Sequence, residues 1–371
     1  MAKLPTDAWN YIPEEVLVHI FSYLPLRDRH TIFCVCSHWA EVASASSVWS
    51  FTEICCNIED VSADTVLRSL HHFLPHIKHL RIVFDQSLEI NRRRVSEILD
   101  VLAWQSRKLC ALSVVCTGRS PYFYSGQDIL LRIRRLCQGT GNIDLQYIDF
   151  RRTPFTLDNG IVQLMATNHP NLRALFINVR TPGIIILKPD TIVEVLRACP
   201  KISTLGIYHC TLTEDVFLEL LKPGREPFRC LDIFCEGLDN EVPEELWSAL
   251  SQKHPQLRVE LEFAPLVPAW KVPWILKPNI PVTALQFNTF GHLSDQIQFV
   301  TTNYSKTLQK LVLHTTTPSS DLNSSLIDLA SKCVHLKEIH CHCTVSQAVV
   351  NAFLLHCTGL RRYTLTTCMY L

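Results

Sequence analysis

Beyond the first fifty residues, apolar and polar positions recur with a fixed phase. Three apolar anchors, spaced three and then two residues apart, appear as Ile77/Leu80/Ile82, Leu109/Leu112/Val114, Leu145/Ile148/Phe150, Leu172/Leu175/Ile177 and Ile202/Leu205/Ile207. They continue as Phe228/Leu231/Ile233, Val282/Leu285/Phe287, Leu308/Leu311/Leu313, Leu336/Ile339/Cys341 and Leu360/Tyr363/Leu365. The alternation that closes each triplet predicts a short strand with one buried face. A further strand is expected over Leu257–Phe263, where Val259, Leu261 and Phe263 alternate outside the triplet phase. Helical spacing between strands predicts helices at Val95–Trp104, Ile129–Cys137, Ile161–Ala166, Thr191–Ala198, Glu244–Leu250 and Leu322–Ser331. Pro75, Pro170, Pro200 and Pro255 each stand two residues before a first anchor, a helix stop at constant phase. From Leu80 to Tyr363 the period is about 28 residues, the spacing of stacked strand–helix coils.

The first fifty residues follow another rhythm. Pro13-Glu14-Glu15 is a helix start, with proline in the first turn and acids at the N-terminal end of the dipole. Val16, Leu17, Ile20, Phe21 and Leu24 then form one apolar helix face, stopped by Pro25. Asp28 is the expected next cap, followed by Ile32, Val35, Cys36 and Trp39 at helical spacing, and Val48-Trp49 closes the segment. Three helices in about 40 residues make too small a core to stand alone, so this unit is expected to pack on a neighbour.

These residues resemble the F-box family. Its pattern is carried in order by Ile12-Pro13, Glu15, Leu17, Ile20-Phe21, Leu24-Pro25, Asp28, Val35-Cys36, Trp39 and Val48-Trp49, with Ile12 and Val48 standing where the family usually has Leu. The later triplets resemble the leucine-rich repeat. In six of the ten regular repeats the fifth residue after the middle anchor is Thr117, Thr153, Cys210, Thr316, Thr344 or Cys368, where that family places a residue able to bond the backbone of adjacent coils. Together the two parts resemble F-box and leucine-rich-repeat proteins. The fold expected is α/β: a three-helix F-box at 1–52, then at 53–371 a curved solenoid of about eleven irregular repeats with a parallel concave sheet. The resemblance implies docking to the Skp adaptor and, through it, to cullin and a RING subunit. It makes Ile12, Pro13, Leu17, Ile20, Phe21, Leu24, Val35 and Trp39 the core or docking residues. The implied function is substrate recognition in a Skp–cullin–F-box ubiquitin ligase, leading to ubiquitination and proteasomal degradation of a protein substrate whose identity stays open. The alternative is a ligase-independent scaffold that binds Skp without cullin.

Composition agrees with a solenoid. Of 371 residues, 50 are Leu and only 11 Gly. Lys+Arg and Asp+Glu are 35 each, so there is no basic field to attract nucleic acid or an anionic membrane, and neither is expected as a partner. The start of the chain carries no signal-peptide core, and no stretch is apolar enough to span a bilayer. The 16 cysteines are therefore expected to be thiols buried as small hydrophobes in a cytoplasmic protein. Arg92-Arg93-Arg94 leaves the nucleus open, although such a run is more often a solvated helix edge. The chain ends at Leu371 just past a strand without an evident capping helix, so the expectation is either an open last repeat or a missing tail.

Catalytic chemistry is not expected. There is no phosphate-binding glycine loop, zinc-protease helix or nucleophile elbow. His340-Cys341-His342-Cys343 looks metal-like, but alternate residues of one strand face opposite ways and cannot surround one ion. No metal, cofactor or catalytic residue is assigned, and an enzyme with Cys/His chemistry is the reading that metal analysis would test. Substrate is expected on the outward positions of the sheet: Arg81, Asp149, Arg151, Phe176, Asn178, Tyr208, Asp232, Phe234, His314, His340 and His342. Phe176, Tyr208 and Phe234 sit on nearby strands and are expected to form an exposed aromatic patch, and Ser120–Tyr124 is an aromatic loop candidate.

Overall fold

The computed structural model describes residues 12–56, 73–105, 108–119, 124–138, 143–180, 186–237, 241–289, 291–314 and 320–367. The chain divides into two compact units, Met1–Ala174 with Thr181–Ile186, and Leu175–Arg180 with Leu187–Leu371.

The first unit opens with α1 (Glu14–Ser22), α2 (Leu26–Ile32), α3 (Ser37–Ala43) and the single turn α4 (Ser46–Trp49). Asp28 is not a cap: α2 starts after Pro25, and Asp28 lies in its first turn. The helical spacing from Ile32 to Trp39 bridges two helices, because Cys36 leaves the helical region and its sulfur accepts from the Trp39 N–H at 3.5 Å, starting α3 afresh. Leu17, Phe21, Ile32, Val42, Ala43, Val48 and Trp49 form the buried core of this bundle. From α4 the chain enters strand β1 (Phe51–Cys56) directly.

β1 is a strand the triplet count missed. It pairs in parallel with β2 (His79–Phe84), placing Thr52 beside Leu80 and Ile54 beside Ile82. The phase is present as Trp49/Thr52/Ile54, hidden by Thr52 at the middle anchor, where it is buried with its hydroxyl donating to the Trp49 carbonyl at 2.8 Å. β3 (Ala111–Cys116) and β4 (Tyr147–Arg152) continue in sequence order, with the helices α5 (Glu89–Gln105), α6 (Gln127–Gln138) and α7 (Asn159–Asn168) as crossovers. Parallel neighbours require such crossovers. Leu80, Leu112 and Ile148 stand in register, as the anchor phase requires.

The second unit carries the end of β5 (Ala174–Phe176), then β6 (Thr204–Tyr208), β7 (Cys230–Cys235), β8 (Arg258–Phe263), β9 (Val282–Phe287), β10 (Lys310–Leu313), β11 (Glu338–Val345) and β12 (Arg362–Thr367). Its helices are α8 (Pro189–Ala198), α9 (Glu214–Leu220), α10 (Glu244–Lys253), α11 (Val272–Ile275), α12 (Ser294–Asn303), α13 (Ser320–Lys332) and α14 (Gln347–His356). Strand order again follows sequence order. β8, the strand without the triplet phase, is where the register slips: Val259 pairs with Val282 but Glu260 with Ala284, leaving Thr283 as an extra residue on β9. Downstream, Leu285, Leu311, Ile339 and Tyr363 align.

The repeated prolines follow α7, α8 and α10, each of which stops one residue earlier at His169, Cys199 or His254. The two histidines are buried and bond backward: His169 Nδ1 accepts from the Leu145 N–H at 3.4 Å, and His254 Nδ1 from the Phe228 N–H at 3.2 Å. Burial lowers the pKa of both, holding them neutral as acceptors.

One expectation about the repeats needs correction. At the fifth position Thr153 bonds within its own coil, to the Phe150 carbonyl at 2.8 Å, whereas Thr117 is exposed and Thr211, next to Cys210, supplies the bond to Tyr208. Thr316 and Cys368 lie outside the described residues. On β12 the middle anchor Tyr363 is 54% exposed, and Leu360 and Leu365 are half-buried.

Candidate functional site

Two surfaces carry the functional candidates. The first is the helical bundle. The apolar run on α1 is wider than one face and splits in two. Leu17 and Phe21 turn inward, Phe21 meeting the half-buried Trp39 edge-on at 5.2 Å. Val16, Ile20 and Tyr23, at i, i+4 and i+7, form an uncovered stripe, with Tyr23 76% exposed. Val35, in the turn after α2, is also uncovered, Pro13 is exposed, and Ile12 and Leu24 are half-buried. Val16 belongs to the apolar face expected from sequence but not to the expected docking residues, and Tyr23 belongs to neither; the signal for them is the i, i+4, i+7 spacing through Ile20.

Arg29 ties this bundle to the sheet. It is buried, and its guanidinium donates to the carbonyls of Leu24 at 2.8 Å, Ser22 at 2.7 Å and Phe51 at 3.0 Å, with Thr52 Oγ1 at 3.4 Å. A cation so placed serves α1, α2 and β1 at once.

The second surface is the sheet face turned away from the helices. In the first unit the register lines up Phe51, His79, Ala111 and Tyr147 in one row, and Glu53, Arg81, Ser113 and Asp149 in the next. Small residues on β3 thus lie between large ones on β2 and β4, and a groove of about 500 Å³ opens over β3. A bulge sharpens it: Ser113 pairs with Asp149 but Val115 with Arg152, so one extra residue on β4 lets both Arg151 and Arg152 line the groove. Asp149 accepts from the Arg151 backbone N–H and Nε at 3.1 Å, from its Nη2 at 2.7 Å and from the Tyr147 hydroxyl at 3.2 Å. Burial first, then the Asp149 charge, push the Tyr147 phenol pKa up. Arg81 faces Glu53 at 3.3 Å. Arg81, Asp149 and Arg151 are thereby brought together; Phe51, Ser113, Tyr147 and Arg152 complete the groove and were missed. The Arg151-Arg152 doublet and the small outward residues of β3 were their signals.

The expected exposed aromatic patch of the second unit is closed. Phe176, Tyr208 and Phe234 are buried, as are Asn178 and Asp232. The cause is Gly206: without a side chain on β6, the space above it is filled by Phe176 and Asn178, and a Cβ there would lie 2.6 Å from the Phe176 ring. Asn178 Nδ2 then reaches Asp232 on β7, donating to its carbonyl at 3.1 Å and to Oδ1 at 3.0 Å. The Tyr208 hydroxyl donates to the Val179 carbonyl at 3.3 Å, and Arg180 Nε meets Glu262 on β8 at 2.7 Å. Residues 176–180 therefore seal this part of the face, and burial raises the Glu262 carboxyl pKa despite Arg180. Further along, His314 and His342 stack with ring centroids 4.1 Å apart. Burial, then His342 and His340, lower the His314 pKa. His340 bonds Glu338 at 3.1 Å and Thr364 at 2.9 Å. Cys341 and Cys343 point into the core, opposite these rings.

Arg92-Arg93-Arg94 lies on α5. Arg92 is a structural bracket, 3.3 Å from Asp128, donating to the Gln86 carbonyl at 2.8 Å and lying over the Tyr124 ring at 4.8 Å. Of the aromatic loop only Tyr124 is described, and 120–123 lie outside the described residues. No helix among the described residues is long and apolar enough to cross a membrane.

A helical bundle with an uncovered apolar stripe, followed by parallel strand–helix coils with in-register leucines, defines an F-box joined to leucine-rich repeats. Residues 9–52 match the family described as F-box-like. Human F-box/LRR-repeat protein 8 is 37% identical over 358 residues, covering 95% of this chain and 94% of that protein. The mouse protein of that name is 36% identical with the same coverage. Mouse F-box/LRR-repeat protein 21 is 22% identical over 291 residues, covering 75% of this chain and 64% of that protein. The chain belongs to the F-box/LRR-repeat family. Proteins of this family generally act as substrate receptors or adaptors.

Proposed function

We propose that this chain is the substrate-recognition subunit of a Skp–cullin–F-box ubiquitin ligase. The observation that carries the reading is the α1 stripe of Val16, Ile20 and Tyr23, which an F-box-like segment leaves uncovered while Leu17 and Phe21 complete its own core. Uncovered apolar side chains on a small bundle gain most by packing on a partner's helices. The adaptor joins the chain to cullin and the RING subunit. The repeats hold the substrate, and the chain contributes proximity rather than bond chemistry, raising the substrate's effective concentration beside a charged conjugating enzyme. Docking falls to Pro13, Val16, Ile20, Tyr23 and Val35, with Ile12, Leu24 and Trp39 at the margin.

Co-purification with the Skp adaptor tests this. Ile20→Asp with Tyr23→Asp should abolish capture while leaving the thermal midpoint unchanged; retained capture would remove the docking assignment. Reconstitution with cullin and RING subunits separates a ligase from a scaffold, since only the former transfers ubiquitin to a bound protein.

A further inference from the structure

The groove over β3 has a shape and a charge that together specify an occupant. Its floor is Ala111, Ser113 and Val115, a trough that follows one strand for about 13 Å, the length of four extended residues. A trough of that form fits an extended segment better than a helix. Its charges are unbalanced: Arg81, Arg151 and Arg152 line it against Asp149 alone. Asp149 is already spent on Arg151 and the Tyr147 hydroxyl. Arg152 is exposed and makes no ion pair among the described residues. Arg81 pairs with Glu53, but both side chains are about 40% exposed, so water screens the pair and a better-seated anion can displace it. Phe51, 57% exposed, stands in the same row as Ala111 and offers an apolar wall beside this cationic rim.

We propose that this groove seats an extended acidic peptide segment of the captured protein, with a carboxylate side chain held by Arg81 and Arg152 and an apolar side chain laid on Ala111 and Val115 beside Phe51. Guanidinium forks match carboxylates in geometry as well as charge, which favours them over ammonium groups at such a rim. The groove inference rests on the receptor reading only for what delivers the segment.

The probe is a phage-displayed library of random heptapeptides, panned on the immobilised full chain and counter-panned on Ser113→Trp, which fills the trough. The peptides lost on Ser113→Trp should be enriched in Asp and Glu over the unselected library. Their binding should fall ~10-fold or more in Arg81→Glu/Arg152→Glu, the loss expected of a charge-assisted hydrogen bond. The charge-reversed variant changes only rim residues and guards against misfolding of Ser113→Trp. A groove-dependent pool no more acidic than the library, an absence of groove-dependent peptides, or preferential binding of single-stranded oligouridylate at the same residues would overturn the proposal. Adaptor capture measured on the same preparations keeps the two readings apart. Lost capture with acidic peptides retained removes only the receptor role; retained capture with a non-acidic pool removes only the groove.

Discussion

Arg29 shows how much a single side chain can join. Four acceptors, from Ser22 of α1, Leu24 in the turn before α2, and Phe51 and Thr52 of β1, converge on its guanidinium in part-buried or buried hydrogen bonds. Arg29→Met keeps the length and apolar stem but strands these acceptors. Urea unfolding should show a loss of about 3 kcal/mol, the scale of hydrogen bonds to a buried charge. Gly206 acts in the opposite sense, by being small. Gly206→Ala would press on Phe176 and Asn178 and should cost about 1–3 kcal/mol, as overpacking does. Faster hydrogen exchange at 177–180 would accompany it, and unchanged exchange there would contradict the sealing role. Neither residue stands out in sequence. An arginine in a helix reads as surface, and a lone glycine in a strand reads as a weak position.

Elements were far more legible than the contacts between them. The triplet phase marks ten of the strands from β2 to β12 and plain alternation marks the eleventh, β8, where the register slips; Pro170, Pro200 and Pro255 mark helix ends, while Pro75 lies inside a 3-10 turn, Leu74–His76. β1 escaped because its middle anchor is a threonine, whose burial depends on a bond to Trp49 rather than on hydrophobicity. The helix-end histidines make a prediction at this scale. An unfolded histidine takes a proton near pH 6.5, whereas buried His169 and His254 take it only at lower pH. The unfolded chain therefore binds more protons in that window, and stability falls as pH drops below about 6.5. His169→Asn/His254→Asn should flatten the difference in unfolding free energy between about pH 7.5 and 5.5. An unaltered slope would remove these two residues as the cause.

At the scale of the whole molecule, the proposed docking stripe and the proposed peptide groove share no residue. Ile20→Asp/Tyr23→Asp should lose the adaptor and keep groove-dependent peptides; Arg81→Glu/Arg152→Glu should do the reverse. Loss of both functions in either variant, with folding intact, would show that the two surfaces are not separate. The open sheet face is also less available than its strand pattern implies. The second unit spends Phe176, Tyr208, Phe234, Asp232 and Asn178 on its own packing, so the outward positions left uncovered are those of the β3 groove in the first unit and the histidines His314, His340 and His342.

The class is legible along the chain. A triplet recurring every 28 residues or so specifies stacked strand–helix coils, because burial of an apolar face on each coil is a local, periodic property of the chain; the F-box and the leucine-rich repeat are read from the resemblance of the motif residues. Which outward residues stay outward is set by packing. Coverage depends on what a neighbouring strand lacks, as Gly206 lets Phe176 and Asn178 close one part of the face while Ala111 and Ser113 leave another open. Packing also divides the α1 apolar run between core and surface, since that division is set by where α3 and α4 pack rather than by the helix period. Alternation says which side of a strand a residue faces; what lies over that side is fixed by side chains distant in the chain.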